Sequence, residues 1–166
     1  MKQDTHNILH HWREAVPNDR MAHLVRDTER AFRRALQTRL AEHNIPFGQW
    51  AFLRILWEAD TGKGLTQKEL SARAGVMEPT TFTAMKAMQA LGYITRQQIP
   101  TNKKNVYVHL TDTGRALKEK LVPLAEETNE ISVQGLTPEE VATARKVLLA
   151  MLVNLSTNVD DESSVG

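Results

Sequence analysis

Leu65 to Gly92 runs L-T-Q-K-E-L-S-A-R-A-G-V-M-E-P-T-T-F-T-A-M-K-A-M-Q-A-L-G, and its caps and breakers predict two helices joined by a tight turn. Thr66 stands at an N-cap with Glu69 three positions later, so that each can satisfy an orphan backbone N–H of the first turn. Leu65 before the cap and Leu70 after it are placed for a hydrophobic staple. Gly75 offers the left-handed conformation that ends a helix. Pro79 restarts one, because its fixed φ and missing N–H suit the first helical position. Gly92 closes the second helix as Gly75 closes the first.

The faces of that second helix follow from about 100° of rotation per residue. Thr81, Ala84, Met85, Met88 and Leu91 form a stripe expected to be buried. Pro79, Phe82, Thr83 and Lys86 point the other way, flanked by Thr80 and Ala87. This outer set contains no acid, and it offers a Phe to solvent, which an ordinary surface helix has little reason to do. Against DNA the set makes sense: Thr can meet a base edge, Phe a thymine methyl and Lys a phosphate. A two-helix hairpin inside a helical core is the plainer alternative, since helix-turn-helix spacing alone is a weak signal.

The next segment decides between them. Tyr93–Ile99 and Val106–Leu110 are β-prone, and Pro100-Thr101-Asn102-Lys103-Lys104-Asn105 between them is a turn-rich basic loop. Two strands around a basic tip, directly after a recognition helix, make a wing. On Leu65–Gly92, then Leu91-Gly92-Tyr93-Ile94-Thr95-Arg96, then Val108-His109-Leu110-Thr111-Asp112-Thr113-Gly114, the chain resembles the multiple-antibiotic-resistance regulator (MarR) family of winged helix-turn-helix repressors. The resemblance spans residues from about Asp19 to Leu155. It departs from the family at the wing tip, where Asn102 stands in place of an Asp and Lys104 in place of an Arg, a pair that cannot form a bidentate ion pair. Lys is also a poorer reader of the minor groove than Arg, so the wing is expected to meet mainly phosphate. Thr83 replaces an Arg common in the family's recognition helices.

Composition agrees. The 166 residues fit one domain, or one domain with dimerisation helices, and 41% hydrophobic content can build a core. No apolar run approaches the roughly 18 residues a membrane span needs. The N-terminal stretch lacks a signal-peptide pattern, so a cytoplasmic location is the default expectation. There is no cysteine, hence no disulfide framework and no thiol sensing of peroxide of the kind one branch of the family uses. The net charge is only +1. Yet between Lys63 and Lys104 seven bases (Lys63, Lys68, Arg73, Lys86, Arg96, Lys103, Lys104) stand against two acids, Glu69 and Glu78. A local basic segment on a near-neutral chain fits a site-specific DNA binder.

Around this centre the chain divides into an arm (1–18), a helical dimerisation region (19–45 and 111–156), the winged region (46–110) and a tail expected to be disordered (157–166). In the arm, His6, His10 and His11 have helix-compatible spacing. A metal site would need further ligands, and a solvated arm is the simpler reading; Trp12 and Val16 suggest that the arm packs on something. A long helix from about Asp19 to His43 carries an apolar stripe and an opposite face with Arg26, Arg30, Arg33, Arg34 and Arg39. Asn44-Ile45-Pro46 ends it. The helix from about Pro46 to Ala59 is apolar nearly all round and should be deeply buried. On it Trp50, Arg54 and Trp57 share a face. A guanidinium stacked between two indoles is one reading. A ligand pocket is the other, with Arg54 for an anion and the indoles for a flat body. Thr61-Gly62-Lys63-Gly64 lacks P-loop spacing. Thr111 should cap a helix to about Val133 that Pro123 kinks or divides. Thr137 to Glu140 form a second capping box, with Leu136 and Val141 as its staple. The last helix, ending near Leu155, is apolar enough to need a partner surface, and the resemblance implies a second subunit.

No nucleophile motif, His-x-Glu pair or bounded acidic pair suggests an enzyme. The expectation is a mainly α protein with a small β-wing: a homodimeric, ligand-responsive transcriptional repressor of a palindromic operator on double-stranded DNA, with no cofactor, metal or membrane partner. Thr66, Gln67, Pro79, Thr80, Phe82, Thr83 and Lys86 should face the major groove or its phosphates, with Lys103 and Lys104 serving the wing. The resemblance implies an effector, often an aromatic acid or its conjugate, lodged between the dimerisation helices and the DNA-binding lobe. Phe47, Trp50, Arg54 and Trp57 are the candidate contacts, with His23 a further one. The Arg-rich first helix extends the effector class to an acyl coenzyme A thioester, whose phosphates need bases. An architectural or protein-interaction module that senses nothing is the alternative.

Overall fold

The computed structural model describes residues 20–99 and 102–162, with side chains over 20–98 and 106–156. The N-terminal arm with its three histidines and Trp12, and residues 163–166 of the tail, lie outside the described residues. The chain forms two compact units, one up to Thr128 and one from Asn129.

In the first unit, α1 (Met21–Ala41) is followed by α2 (Phe47–Glu58), the short strand β1 (Leu65–Thr66), α3 (Gln67–Ala74), α4 (Glu78–Ala90), the strands β2 (Ile94–Ile99) and β3 (Asn102–Leu110), and α5 (Asp112–Ser132), whose last turn belongs to the second unit. Asn44 takes a left-handed φ of 58° where α1 gives way to Pro46, the extended N-cap of α2. Thr66 caps α3 as predicted: its hydroxyl accepts from Glu69 N, and Glu69 Oε2 accepts from Thr66 N at 2.8 Å. Gly75 ends α3 at φ 64°, and Pro79 sits in the first turn of α4.

The three strands form an antiparallel sheet in the order β1-β3-β2. The third strand is an addition to the expected hairpin: Leu65 pairs with Val108 and Thr66 with Tyr107, so the stretch that caps α3 also tethers it to the wing. β3 begins at Asn102, which corrects the expectation that 100–105 is all loop. The register shifts between Gln98 and Ile99, an irregularity of the kind that bends a ribbon near its tip. The core of this unit gathers Leu40, Ile45, Trp50, Phe52, Leu53, Leu56, Leu65, Leu70, Met85, Met88, Ile94, Val108, Leu110 and Leu121. α2 supplies four of these (Trp50, Phe52, Leu53 and Leu56), more than any other element, as an all-round apolar helix should. α1 enters it only at its end; Met21, Leu24, Val25 and Phe32 are exposed.

Pro123 does not divide α5, which is continuous from Asp112 to Ser132. In the second unit, Thr137 and Glu140 close their capping box with bonds of 2.8 and 3.2 Å. α6 (Pro138–Glu162) follows; it runs past the predicted end near Leu155, so 157–162 are helical in backbone rather than tail. Val147, Leu148, Leu149, Leu152 and Leu155 are all exposed on it.

Candidate nucleic-acid interface

The predicted faces of α4 hold with one exception. Thr81, Met85 and Met88 are fully buried, and Ala84 is half-buried. The Thr81 hydroxyl accepts from Ser71 Oγ at 2.7 Å, which ties α3 to α4 through a satisfied polar pair inside the core. Leu91 is the correction: it is 51% exposed. It is the C-cap of α4, where the chain already turns into Gly92 at φ 73°, so the helical period no longer sets its direction.

Pro79, Thr80, Phe82, Thr83 and Lys86 are all exposed, Phe82 by 46%. The Thr83 hydroxyl donates to the Pro79 carbonyl at 3.0 Å, which leaves its lone pairs outward. Thr66 is held differently: its hydroxyl donates to Glu69 Oε2 at 2.8 Å and accepts from Glu69 N at 3.2 Å, so its first task is the cap. Gln67 opens α3, and its Oε1 accepts from Arg96 Nε at 2.9 Å. Arg96 was not among the expected contacts. Its guanidinium carbon lies 5.2 Å from the centroid of Phe82, and Lys86 Nζ lies 5.5 Å from the same ring. The exposed Phe is therefore the hub of a two-cation cluster that joins α4 to β2. Only the pairing of β2 with β3 brings Arg96 there; in the sequence it is one charge in an alternating strand. Lys103 and Lys104 fall within β3, and their side chains lie outside the described set.

The candidate effector residues do not share one environment. Trp50 is 3% exposed, in the core, and its ring meets Trp57 edge-to-face at 5.8 Å. Trp57 Nε1 donates to the Gly114 carbonyl at 3.0 Å. Arg54 is at the surface, 6.0 Å from the Trp50 ring and 3.9 Å from Glu58 Oε1. The indoles thus touch each other and do not sandwich the guanidinium. Phe47 is half-buried beneath Arg33, at 4.9 Å, and His23 is exposed on α1. At the N-terminal end of α2 an open groove of about 430 Å³ is lined by Pro46, Gly48, Gln49, Thr80, Thr83, Ala84 and Ala87. Beside it the buried Gln49 Oε1 has no hydrogen-bond partner among the described residues. The sequence pattern did not single out this groove, because it needs α2 packed against α4.

Two carboxylates are tuned. Glu69 is held below the usual carboxylate range by the backbone and hydroxyl hydrogen bonds of Thr66. Asp60 is lowered by its hydrogen bonds from Arg115, the closer at 2.6 Å. Among the described residues there is no cluster of metal-ligating side chains, and no helix is long and apolar enough to cross a membrane.

A capped helix, a buried tether, a helix that exposes Thr80, Phe82, Thr83 and Lys86 together and a three-stranded wing define a winged-helix DNA-binding protein. The MarR family model matches residues 47–106. The chain is 31% identical over 125 residues to the transcriptional regulator TtmR of Methylorubrum extorquens, an alignment covering 75% of this chain but only 60% of TtmR. It is 30% identical over 112 residues to the organic hydroperoxide resistance transcriptional regulator of Bacillus subtilis, covering 68% of this chain and 73% of that one. Its fold matches BpsR of Bordetella bronchiseptica with a TM-score of 0.69 at 21% identity, over 82% of this chain and 96% of that chain. The chain belongs to the MarR family of transcriptional regulators, which bind DNA and are not enzymes.

Proposed function

We propose that the chain acts as a homodimeric repressor that reads a palindromic operator with α4 and leaves it when a small anionic aromatic effector, or its coenzyme A thioester, binds. The observation that carries this reading is the outer face of α4, where Thr80, Phe82, Thr83 and Lys86 stand exposed together. One such face covers only a few base pairs. Two of them related by a two-fold axis reach successive major grooves about 34 Å apart.

Support for an aromatic acid comes from outside the chain: BpsR has its DNA binding regulated by 6-hydroxynicotinic acid. The regulator from B. subtilis is named for organic hydroperoxide resistance, but this chain contains no cysteine, so a thiol sensor is not its route. Arg54 is the candidate anion contact because its charge is accessible, with Phe47 at the start of the same helix, His23 on α1 and the Trp pair as packing behind it. An effector that favours a non-binding spacing of the two α4 helices by one to three kcal/mol would release DNA about 5- to 150-fold.

The test is a shift titration on the intergenic DNA upstream of the coding sequence, repeated with aromatic acids and their coenzyme A thioesters. Specific binding relieved by one compound is the expected result, and Arg54→Ala should blunt the relief without weakening binding. Lys86→Ala and Thr83→Ala should weaken binding in a dimer that still folds; if neither does, α4 is not the reading face. Tight binding that no compound in the panel relieves would leave the DNA reading intact and point to another effector or to an architectural role.

A further inference from the structure

We propose that Arg96 is a positioning residue that holds the Gln67 amide with its NH2 group towards DNA, so that Gln67 meets its base as a donor and selects against cytosine. This rests on the DNA-binding role of α3 and α4 set out above. Arg96 Nε lies 2.9 Å from Gln67 Oε1. A guanidinium carries donors and no acceptor, so the amide must present its oxygen to it. The NH2 group is then the free end of the amide, without a protein partner among the described residues. With the oxygen drawn towards Arg96, the end held out to a base donates, to a purine N7, to guanine O6 or to thymine O4. Cytosine presents only its N4–H2 donor in the major groove and offers that end nothing to donate to.

The clamp is built to hold. Arg96 faces Val108 across the β2–β3 ladder, and Val108 is fully buried, so the strand beneath Arg96 is anchored in the core. Its guanidinium is also engaged with the Phe82 ring, at 5.2 Å from the centroid. One side chain from the wing thus sets the first residue of α3 and an exposed residue of α4 together. Any change of register in β2 would release both.

The experiment compares operator affinity and the base preferences selected from randomised duplexes for the full chain and the variants Arg96→Met, Arg96→Lys, Gln67→Ala, Gln67→Glu and the double variant Arg96→Met/Gln67→Ala. Thermal melts confirm that each is folded. Arg96→Met and Gln67→Ala should each weaken binding about tenfold, the scale of one hydrogen bond to a charged or base-edge partner, and the double variant should be no weaker than the singles within about threefold. Arg96→Met frees the amide to turn its oxygen outward, so it should newly admit cytosine where the unaltered chain rejects it, and Arg96→Lys, which still donates to Oε1, should keep the original preference. Gln67→Glu preserves the contact with Arg96 and removes the donor, so it should bind as poorly as Gln67→Ala even if the methionine variant does not fold. Additive losses in the double variant, cytosine preferred by the unaltered chain, or full binding by Gln67→Glu would each overturn the inference. Failure of the unaltered chain to select any sequence would instead count against the DNA-binding reading itself.

Discussion

Gly114 shows how one residue can join elements. Its carbonyl accepts from Trp57 Nε1 at 3.0 Å, and its N–H donates to the capping hydroxyl of Thr111 at 3.1 Å. Thr111 N in turn donates to the Tyr93 carbonyl at 3.0 Å. A Cβ on Gly114 would run into that same carbonyl oxygen, where backbone has little room to give. Gly114→Ala should therefore cost about 1–3 kcal/mol, the range for overpacking a tight site, read from the urea midpoint at unchanged m-value. An unchanged midpoint would mean that α5 can separate from the end of α4 without loss. The sequence placed this glycine in a motif but not the reason for it, since the close approach exists only once Tyr93 and Leu110 are brought together by the wing. The Trp50–Arg54–Trp57 face teaches the complementary lesson. Spacing sets where a Cβ points, not where a long side chain ends; Arg54 lifts its charge to water while the indoles from the same face turn inward to the core and to Gly114.

At the level of elements, α3 was the most legible, because its signals are local: a cap, a box partner three residues on, a staple and a glycine stop all lie within one short stretch. The same box carries a pH dependence. Glu69 titrates below its ordinary range because Thr66 donates to its carboxylate from backbone and hydroxyl, so the folded state binds that proton less readily than the unfolded one. Its contribution is complete above about pH 5, the ordinary Glu range, and is lost as pH falls through the lowered value. Glu69→Gln keeps the shape and removes the charge from the helix start. It should be less stable than the unaltered chain by about 0.3–1 kcal/mol at neutral pH, the scale of an exposed charge at a helix N-terminus. The gap should close in acid, where Glu69 is itself neutral. Urea titrations of both proteins from pH 7 downwards make the comparison, and a gap that does not narrow as the pH falls would show that the cap does not depend on ionisation. α4 was legible along its middle and not at its end, where Leu91 leaves the helical period. The wing was legible as two strands; β1 was not, since a two-residue strand has no pattern of its own and forms only because Val108 and Tyr107 lie alongside.

For the whole molecule the decisive feature is apolar surface left in water. On α6, Leu148, Leu152 and Leu155 share a face with the half-buried Val141 and Met151, and Leu152 is 63% exposed. Fully burying a Leu is worth about 1.5–3 kcal/mol, and a contiguous patch of this kind is uncommon on a chain that works alone. A second copy offers the same stripe, and a two-fold arrangement lets it be self-complementary. Leu152→Lys and Leu148→Lys alter side chains that already reach solvent, so the fold of the single chain should tolerate them, while a subunit interface on this face should not. Sedimentation velocity should find the unaltered chain as a dimer and the double variant as a monomer. The consequence for DNA is separable from folding. Joining two reading heads raises avidity by about 10²–10⁴ over one, so the monomeric variant should lose about that factor on a full palindrome. On an isolated half-site it should lose almost nothing. If the variant stayed dimeric, the apolar face of α6 would not be the contact between subunits. If it became monomeric and still bound the full palindrome undiminished, the two α4 helices would not act as a coupled pair, and the operator would be read one half at a time.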